Sequence, residues 1–243
     1  FVVTFDVSRS ASREEAFPEY KAHRPKMDED LASQLPWVDK ACDALRLPVV
    51  SLHGYEADDV IATLTRQAVA RGFDVVIISS DKDLLQLVDE HVSVLSPGRD
   101  GKPEKRYDRA GVIEKMGVPP ERVVDLLALV GDAVDNIPGV PGIGEKGARD
   151  LIAEFGSLDE LLARAAEVKR NAYREGLLNH ADKAQLSRRL ATLDANVPVE
   201  FDPDKSVVVK PDREASYQLF KDLEFTAFAR EMAPEVTAFR FTH

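Results

Sequence analysis

Cysteine is almost absent. The single Cys42 excludes an intrachain disulfide and a cysteine-rich zinc cage. Histidine is scarce as well, with five residues in no paired-ligand spacing. No apolar run approaches the roughly 18 residues a membrane-spanning helix needs. Aromatic residues make up 7% of the 243, and the 13 glycines and 14 prolines are an ordinary share, which excludes collagen-like and linker-like chains. No signal-peptide pattern opens the chain, which starts at Phe1 inside an apolar run. These absences point to a soluble, intracellular protein with no membrane partner, and 44% hydrophobic residues suffice for a substantial core.

Basic charge is also in deficit. The chain holds 32 Lys and Arg against 43 Asp and Glu, a net −11, which taken alone argues against a nucleic-acid partner. The placement of the acids matters more than their sum. Short apolar runs at Phe1–Phe5, Pro48–Leu52, Asp74–Ser80 and His91–Leu95 read as strands. Helical spacing covers Asp28–Arg46, with Pro36 as a kink, and Glu56–Arg71, which Gly72 stops. A further helix starts at Asp81–Val88. Strands alternating with helices imply βαβ units and a parallel sheet. After about residue 105 the pattern becomes helical, at Asp108–Met116, Pro120–Val130, Glu145–Phe155, Leu158–Ala166 and on to Arg189. One β-like run (Ser206–Val209) and two late helices follow. The expected organisation is therefore an α/β region over 1–105 and a helical region over 106–243.

Carboxylates recur just after the strands: Asp6 after FVVTF; Glu56, Asp58 and Asp59 after PVVSL; Asp81 and Asp83 after DVVIISS. In open α/β sheets, ligands gather beyond the carboxyl ends of the strands. A fourth pair, Asp132 and Asp135, follows the helix ending at 130. Each group alone could be an acidic helix start. Together they would repel, since two unit charges 4 Å apart interact at about 4 kcal/mol for an effective dielectric near 20. Bound cations or protonation must relieve them. Oxygen donors without His or Cys select Mg²⁺ or Mn²⁺. Setting these eight aside leaves 35 acids against 32 basic residues, so the rest of the chain is nearly neutral.

Gly139–Asp150 (GVPGIGEKGARD) contains GxGxxG at Gly142, Gly144 and Gly147, but no strand precedes it, so it is not a dinucleotide fingerprint. Glu145 stands at the lysine position of a P-loop, which excludes that motif too. Helix, glycine hairpin, helix remains. Its free N–H groups, with Lys146 and Arg149, can hold a phosphate without reading sequence. Glu19–Arg24 (EYKAHR) sets Lys21 and Arg24 on one helical face, with Tyr20 offering a ring to a base. Arg164–Arg189 carries seven basic residues against three acids, which fits a grip on a duplex backbone and a solvated helix face equally well.

In order, FD at 5–6, EYKAHR, GYEADDVIATL, SSDKDLLQLV and VGDAVDNIPGVPGIGEKGARDLI resemble the bacterial 5′-nucleases, the 5′→3′ exonuclease domains of polymerase I type in the flap endonuclease family. The resemblance covers nearly the whole chain. It implies a mostly parallel central sheet flanked by helices (a PIN-like core), a helical arch around residues 8–46, and a helical region with a helix–hairpin–helix near 125–155. It further implies a structure-specific 5′ nuclease hydrolysing DNA phosphodiesters with two or more metal ions, Mg²⁺ or Mn²⁺, in replication and repair. The implied ligands are Asp6, Glu56, Asp58, Asp59, Asp81, Asp83, Asp132 and Asp135. Lys21, Arg24 and Asp81 would act at the scissile phosphate, beside Tyr20. Gly142, Gly144, Lys146 and Arg149 would bind the duplex, with K⁺ at the hairpin.

Implied partners are DNA with 5′ flaps or branched junctions and a fused or companion DNA polymerase, in the bacterial cytoplasm at the nucleoid. The family opens with a strand carrying a further Asp in a VDG-like motif, so the chain is expected to begin after it. Ser12-Arg13 stands where the family usually has Phe-Arg. Two other readings stay open: a catalytically impaired branched-DNA-binding module, and an RNA-directed nuclease with a related core.

Overall fold

A computed structural model describes residues 1–98, 101 and 103–234. In chain order the helices are α1 (Ala11–Ala16), α2 (Glu29–Ala32), α3 (Leu35–Ala44), α4 (Ala57–Ala70), α5 (Arg109–Met116), α6 (Val123–Val130), α7 (Glu145–Phe155), α8 (Leu158–Ala163), α9 (Asn171–Asn179), α10 (Ala181–Ala191), α11 (Arg213–Asp222) and α12 (Thr226–Met232). The strands are β1 (Val75–Ile78), β2 (Val92–Ser96) and β3 (Lys105–Tyr107). They form one sheet in the order β1-β2-β3.

Two compact units emerge: one from Phe1–Phe5, Pro25–Val50 and the segment from Asp202 on, the other from Asp6–Arg24 and Ser51–Phe201. In the first unit α11 packs on α3 and α12. Ser216 is fully buried and its hydroxyl donates to the Ala44 carbonyl at 3.1 Å. Phe220, Phe225 and Phe228 form an aromatic cluster. The expected strands Phe1–Phe5 and Pro48–Leu52 meet only as a single parallel bridge, Val3 to Val49. Asp28–Arg46 breaks at Ser33-Gln34 into two helices, and Pro36 sits in the first turn of α3, where its missing N–H costs nothing. Ser206–Val209 forms no strand among the described residues; Val207, Val208 and Val209 stand exposed with no ladder to join.

The second unit holds the sheet and the larger core. β1 pairs β2 in parallel from Val75–Val92 to Ile78–Leu95, and β2 pairs β3 antiparallel. The sheet is thus smaller and more mixed than expected. β3 was not anticipated, because KRY carries no apolar alternation; only Tyr107 is buried. Leu84 and Leu85 are fully buried in a 3₁₀ turn over Asp83–Leu87, where an α-helix was expected. α4 buries Val60, Thr63, Leu64 and Ala68 on one face, and Gly72 at φ +82° ends it. α6 (VVDLLALV) is apolar nearly all round and correspondingly buried.

Beyond α6 the chain turns at Gly131 (φ +76°), where a Cβ would lie 2.4 Å from the Ile137 carbonyl oxygen. Asp132 and Ile137 exchange backbone hydrogen bonds at 2.9 and 2.8 Å, closing a loop that presents Asp132 and Asp135. The Gly139 N–H then donates to the buried Ser187 hydroxyl at 2.9 Å, and the glycine hairpin leads into α7 at Gly144.

Candidate metal and phosphodiester site

Within the second unit, Asp6, Glu56, Asp58, Asp81, Asp83 and Asp135 line one cavity of about 80 Å³, together with Arg13, Tyr20, Lys21 and Arg24. Local structure places each acid. Asp6 accepts the Ala57 N–H at 2.6 Å, at the start of α4. Glu56 is the extended N-cap of that helix and Asp58 lies in its first turn. Asp81 lies three residues past β1 and accepts the Asp83 N–H at 2.8 Å. So acids from three separated segments and the loop after α6 do meet.

Burial pushes the Asp58 carboxyl up to about 7, aided by Asp81 and Asp6. Burial also pushes Asp83 up to about 7, with Asp81 and then Asp132 adding repulsion. Asp83 Oδ1 is buried and has no hydrogen-bond partner among the described residues. An orphaned acceptor and two carboxyls raised by burial and by Asp81 are the pattern a bound cation relieves, and an all-oxygen donor set suits Mg²⁺ or Mn²⁺. No three Asp, Glu, His or Cys side chains among the described residues form a preassembled ligand cage.

Intramolecular cations hold several of the acids. Lys21 Nζ lies 2.7 Å from Glu56 Oε1 and 3.6 Å from Asp135 Oδ2. Arg24 pairs with Asp135. Asp132 is held by Lys82 and accepts the Val134 N–H at 2.7 Å. Burial opposes the Asp132 charge, but Lys82 together with the Val134 and Asp135 N–H groups outweighs it and sets the carboxyl below its ordinary range.

Several expectations need correction. Asp59 does not face the cavity. It is 1% exposed, and Arg13 donates to both its oxygens at 2.7 Å. Asp132 likewise lies outside the cavity lining, bound to Lys82. Tyr20 is 2% exposed, too buried to stack on a base; its hydroxyl donates to Glu56 Oε2 at 3.1 Å. Arg149 is tied to the Met116 carbonyl at 2.7 Å and to Glu145 at 2.8 Å, one turn away. Gly142 (φ +83°), Gly144 and Lys146 are exposed, with nothing within 4 Å of a Cβ on either glycine.

Sequence reasoning gave Arg13 and Lys82 no role. Arg13 is 6% exposed and makes five hydrogen bonds: to Asp59 twice, to Glu56 at 3.1 Å, and to the Leu190 and Thr192 carbonyls at 3.0 and 2.9 Å. Burial opposes its charge, but Asp59 and Glu56 outweigh that and hold its pKa above the ordinary value. The one available signal was the resemblance itself, since Arg13 keeps the arginine of the family's Phe-Arg pair.

The raised carboxyls have a thermodynamic consequence. An acid whose pKa is raised on folding binds more protons folded than unfolded, so stability falls as pH climbs from about 4 to about 7. Asp132, lowered, acts only below the ordinary carboxylate range. In chelator, the melting temperature should fall from pH 5 to pH 8 by about 5 °C or more, on the scale of a few kcal/mol. An Asp83→Asn variant should show a smaller fall. Equal pH dependence in the two proteins would refute this reading of the cavity.

No helix of the described residues is long and apolar enough to cross a membrane. Two family models match in succession: the N-terminal resolvase-like domain of 5′-3′ exonuclease over residues 1–117, and its C-terminal SAM fold over residues 118–214. DNA polymerase I of Rhizobium leguminosarum is 44% identical over 231 residues, and that of Bacillus caldotenax 41%, each alignment covering 95% of this chain. The chain spans 22% and 26% of those two proteins. Among solved structures, the phage T5 D15 protein co-crystallised with metal ions is 26% identical with a TM-score of 0.68, covering 96% of this chain and 85% of that one. T5 5′-exonuclease with bound zinc matches at 24% identity and a TM-score of 0.69, covering 95% and 82%, which speaks for the fold alone. The two successive domain matches, the resolvase-like and SAM-like fold and the acids gathered at one cavity agree: the chain belongs to the 5′-3′ exonuclease family.

Proposed function

We propose that this chain is a structure-specific 5′ nuclease that hydrolyses DNA phosphodiester bonds at 5′ ends and flaps, in replication and repair. The observation that carries the reading is the cavity where Asp6, Asp58, Asp81 and Asp83 crowd together, two of them with carboxyls pushed up to about 7. These four would supply oxygen donors, joined by Glu56 and Asp135 once Lys21 and Arg24 let go. Two divalent ions bound there would supply an activated water and stabilisation of the leaving oxygen in an in-line displacement.

Lys21 and Arg24 would then turn from carboxylates to the scissile phosphate and offset its developing charge. Lys21 is already held at φ +54°, a strained backbone for a residue with a side chain. The exposed glycine hairpin and Lys146 would hold the duplex by its backbone, selecting structure rather than sequence. A companion polymerase activity lies in the relatives' names and is no part of this proposal's chemistry.

Cleavage of a 5′-flap DNA with Mg²⁺ and with chelator tests the reading. Cutting that needs the metal, and that prefers a DNA flap to an RNA flap, is the expected result. Cutting that persists in chelator refutes the metal role. Binding without cutting refutes the nuclease and leaves a branched-DNA module.

A further inference from the structure

The last carbonyls of an α-helix find no partner within the helix. At the end of α10, side chains from the acid-bearing segments take them. Arg13, already bonded to Glu56 and Asp59, donates to the Leu190 and Thr192 carbonyls. Gln86 donates to the Ala191 carbonyl at 3.1 Å. The amide nitrogen of Gln86 also donates to the Asp83 carbonyl, three residues back, at 2.8 Å, and its amide oxygen accepts the Leu193 N–H at 3.1 Å. One half-buried side chain thus uses both ends of its amide to tie the Asp83 turn to the backbone at the end of α10. Leu190, Ala191 and Leu193 wall the acidic cavity, and Asp83 lines it too. Two features make that tie matter. The turn is a five-residue 3₁₀ helix, whose hydrogen bonds are poorly aligned and give it little stiffness of its own. Asp83 Oδ1 has no hydrogen-bond partner among the described residues, so the backbone that carries it decides where it lies.

We infer that Gln86 is a positioning residue for the metal site: by tying the Asp83 turn to the end of α10, it holds the Asp83 carboxylate in the cavity alongside Asp58 and Asp81. Groups that orient a ligand from behind typically contribute about 10–100-fold to metal affinity. The inference rests on the metal reading of the cavity, but its test does not need cleavage. Gln67 supplies the control. It is half-buried on α4 and makes the same kind of bridge, donating to the Val199 carbonyl at 2.8 Å and accepting the Phe201 N–H at 2.7 Å. Neither partner of Gln67 belongs to the cavity.

Mn²⁺ is titrated into the chain without DNA, and the free ion is measured by electron paramagnetic resonance. The parent should bind it. Gln86→Met keeps the length of the side chain and loses all three bonds; it should bind Mn²⁺ at least about 10-fold more weakly, and excess Mn²⁺ should restore its flap cleavage to within a few-fold of the parent. Gln67→Met should lose about as much melting temperature in chelator as Gln86→Met, yet keep the parent's Mn²⁺ affinity to within about twofold. Gln86→Asn keeps the amide and forfeits only its reach; it should weaken Mn²⁺ in the same direction and serves where the methionine variant does not fold. If the folded Gln86 variants hold Mn²⁺ as tightly as the parent, or if Gln67→Met weakens it equally, Gln86 only braces the fold and the inference is overturned. A parent that binds no Mn²⁺ removes the metal reading of the cavity, and the inference with it.

Discussion

An Asp58→Asn variant should cut a 5′-flap DNA at least about 10³-fold more slowly than the parent, yet melt higher than it in chelator at pH 8. The two effects share one cause. Asp58 sits in a cavity with Asp81 and Asp6 as its principal repelling neighbours, after burial itself. Asparagine keeps the side chain's size and removes the charge. The loss of one oxygen anion from a metal-binding set removes several kcal/mol of transition-state stabilisation, and each 1.4 kcal/mol is about tenfold in rate. The same loss relieves repulsion in the metal-free fold, a trade of activity against stability common at functional sites. Affinity for the flap DNA should stay within a few-fold, because the hairpin and Lys146 are untouched. Gel-shift binding, single-turnover cleavage and thermal melts measure the three quantities. A variant that cuts as fast as the parent would dismantle the proposed site; one that melts lower would deny that the carboxylates repel.

The acids were legible because their pattern is local. A charge just past an apolar run is visible in a short window, and four such groups converge in the structure. The helical half was legible for the same reason: α6 and α7 have strong periodicity, and Gly131 and Gly144 mark their limits. The cations were not legible. Arg13 and Asp59 lie 46 residues apart, and Lys82 and Asp132 lie 50 apart, so no window of sequence couples them. The sequence supplied the anions of the site while the fold chose which of them to neutralise, and Asp59 and Asp132 left the cavity on that account. Tyr20 failed differently. EYKAHR has the spacing of a helical face, but the chain there forms turns, which carries the ring into the core and its hydroxyl onto Glu56. The first strands shrank to one bridge because five apolar residues announce burial, not a partner.

Arg13→Ala should be among the most destabilising single substitutions in the chain, on the order of 3–5 kcal/mol, or roughly 10 °C in melting temperature. The reason is what the substitution leaves behind. Asp59, 1% exposed, would lose both guanidinium bonds and keep only the Asp194 N–H at 2.9 Å and the Glu56 N–H at 3.4 Å. Glu56 would keep Lys21 and Tyr20. The Leu190 and Thr192 carbonyls would lose their donor. A buried charge stripped of its partner costs far more than an exposed pair is worth, which is about 1 kcal/mol at most. Arg9→Ala removes such an exposed pair, with Glu14 at 3.3 Å, and should move the melting temperature by no more than a degree or two. Arg13→Lys would restore one charge with three donors and no planar fork, so its loss should fall between the two. Because Arg13 also fixes Glu56 at the cavity edge, cleavage should fall in the same order: parent, lysine, alanine. If Arg13→Ala melts within a degree or two of the parent, the buried network is not what holds the start of α1 to the start of α4, and the positioning of Glu56 must come from Lys21 and Tyr20 instead.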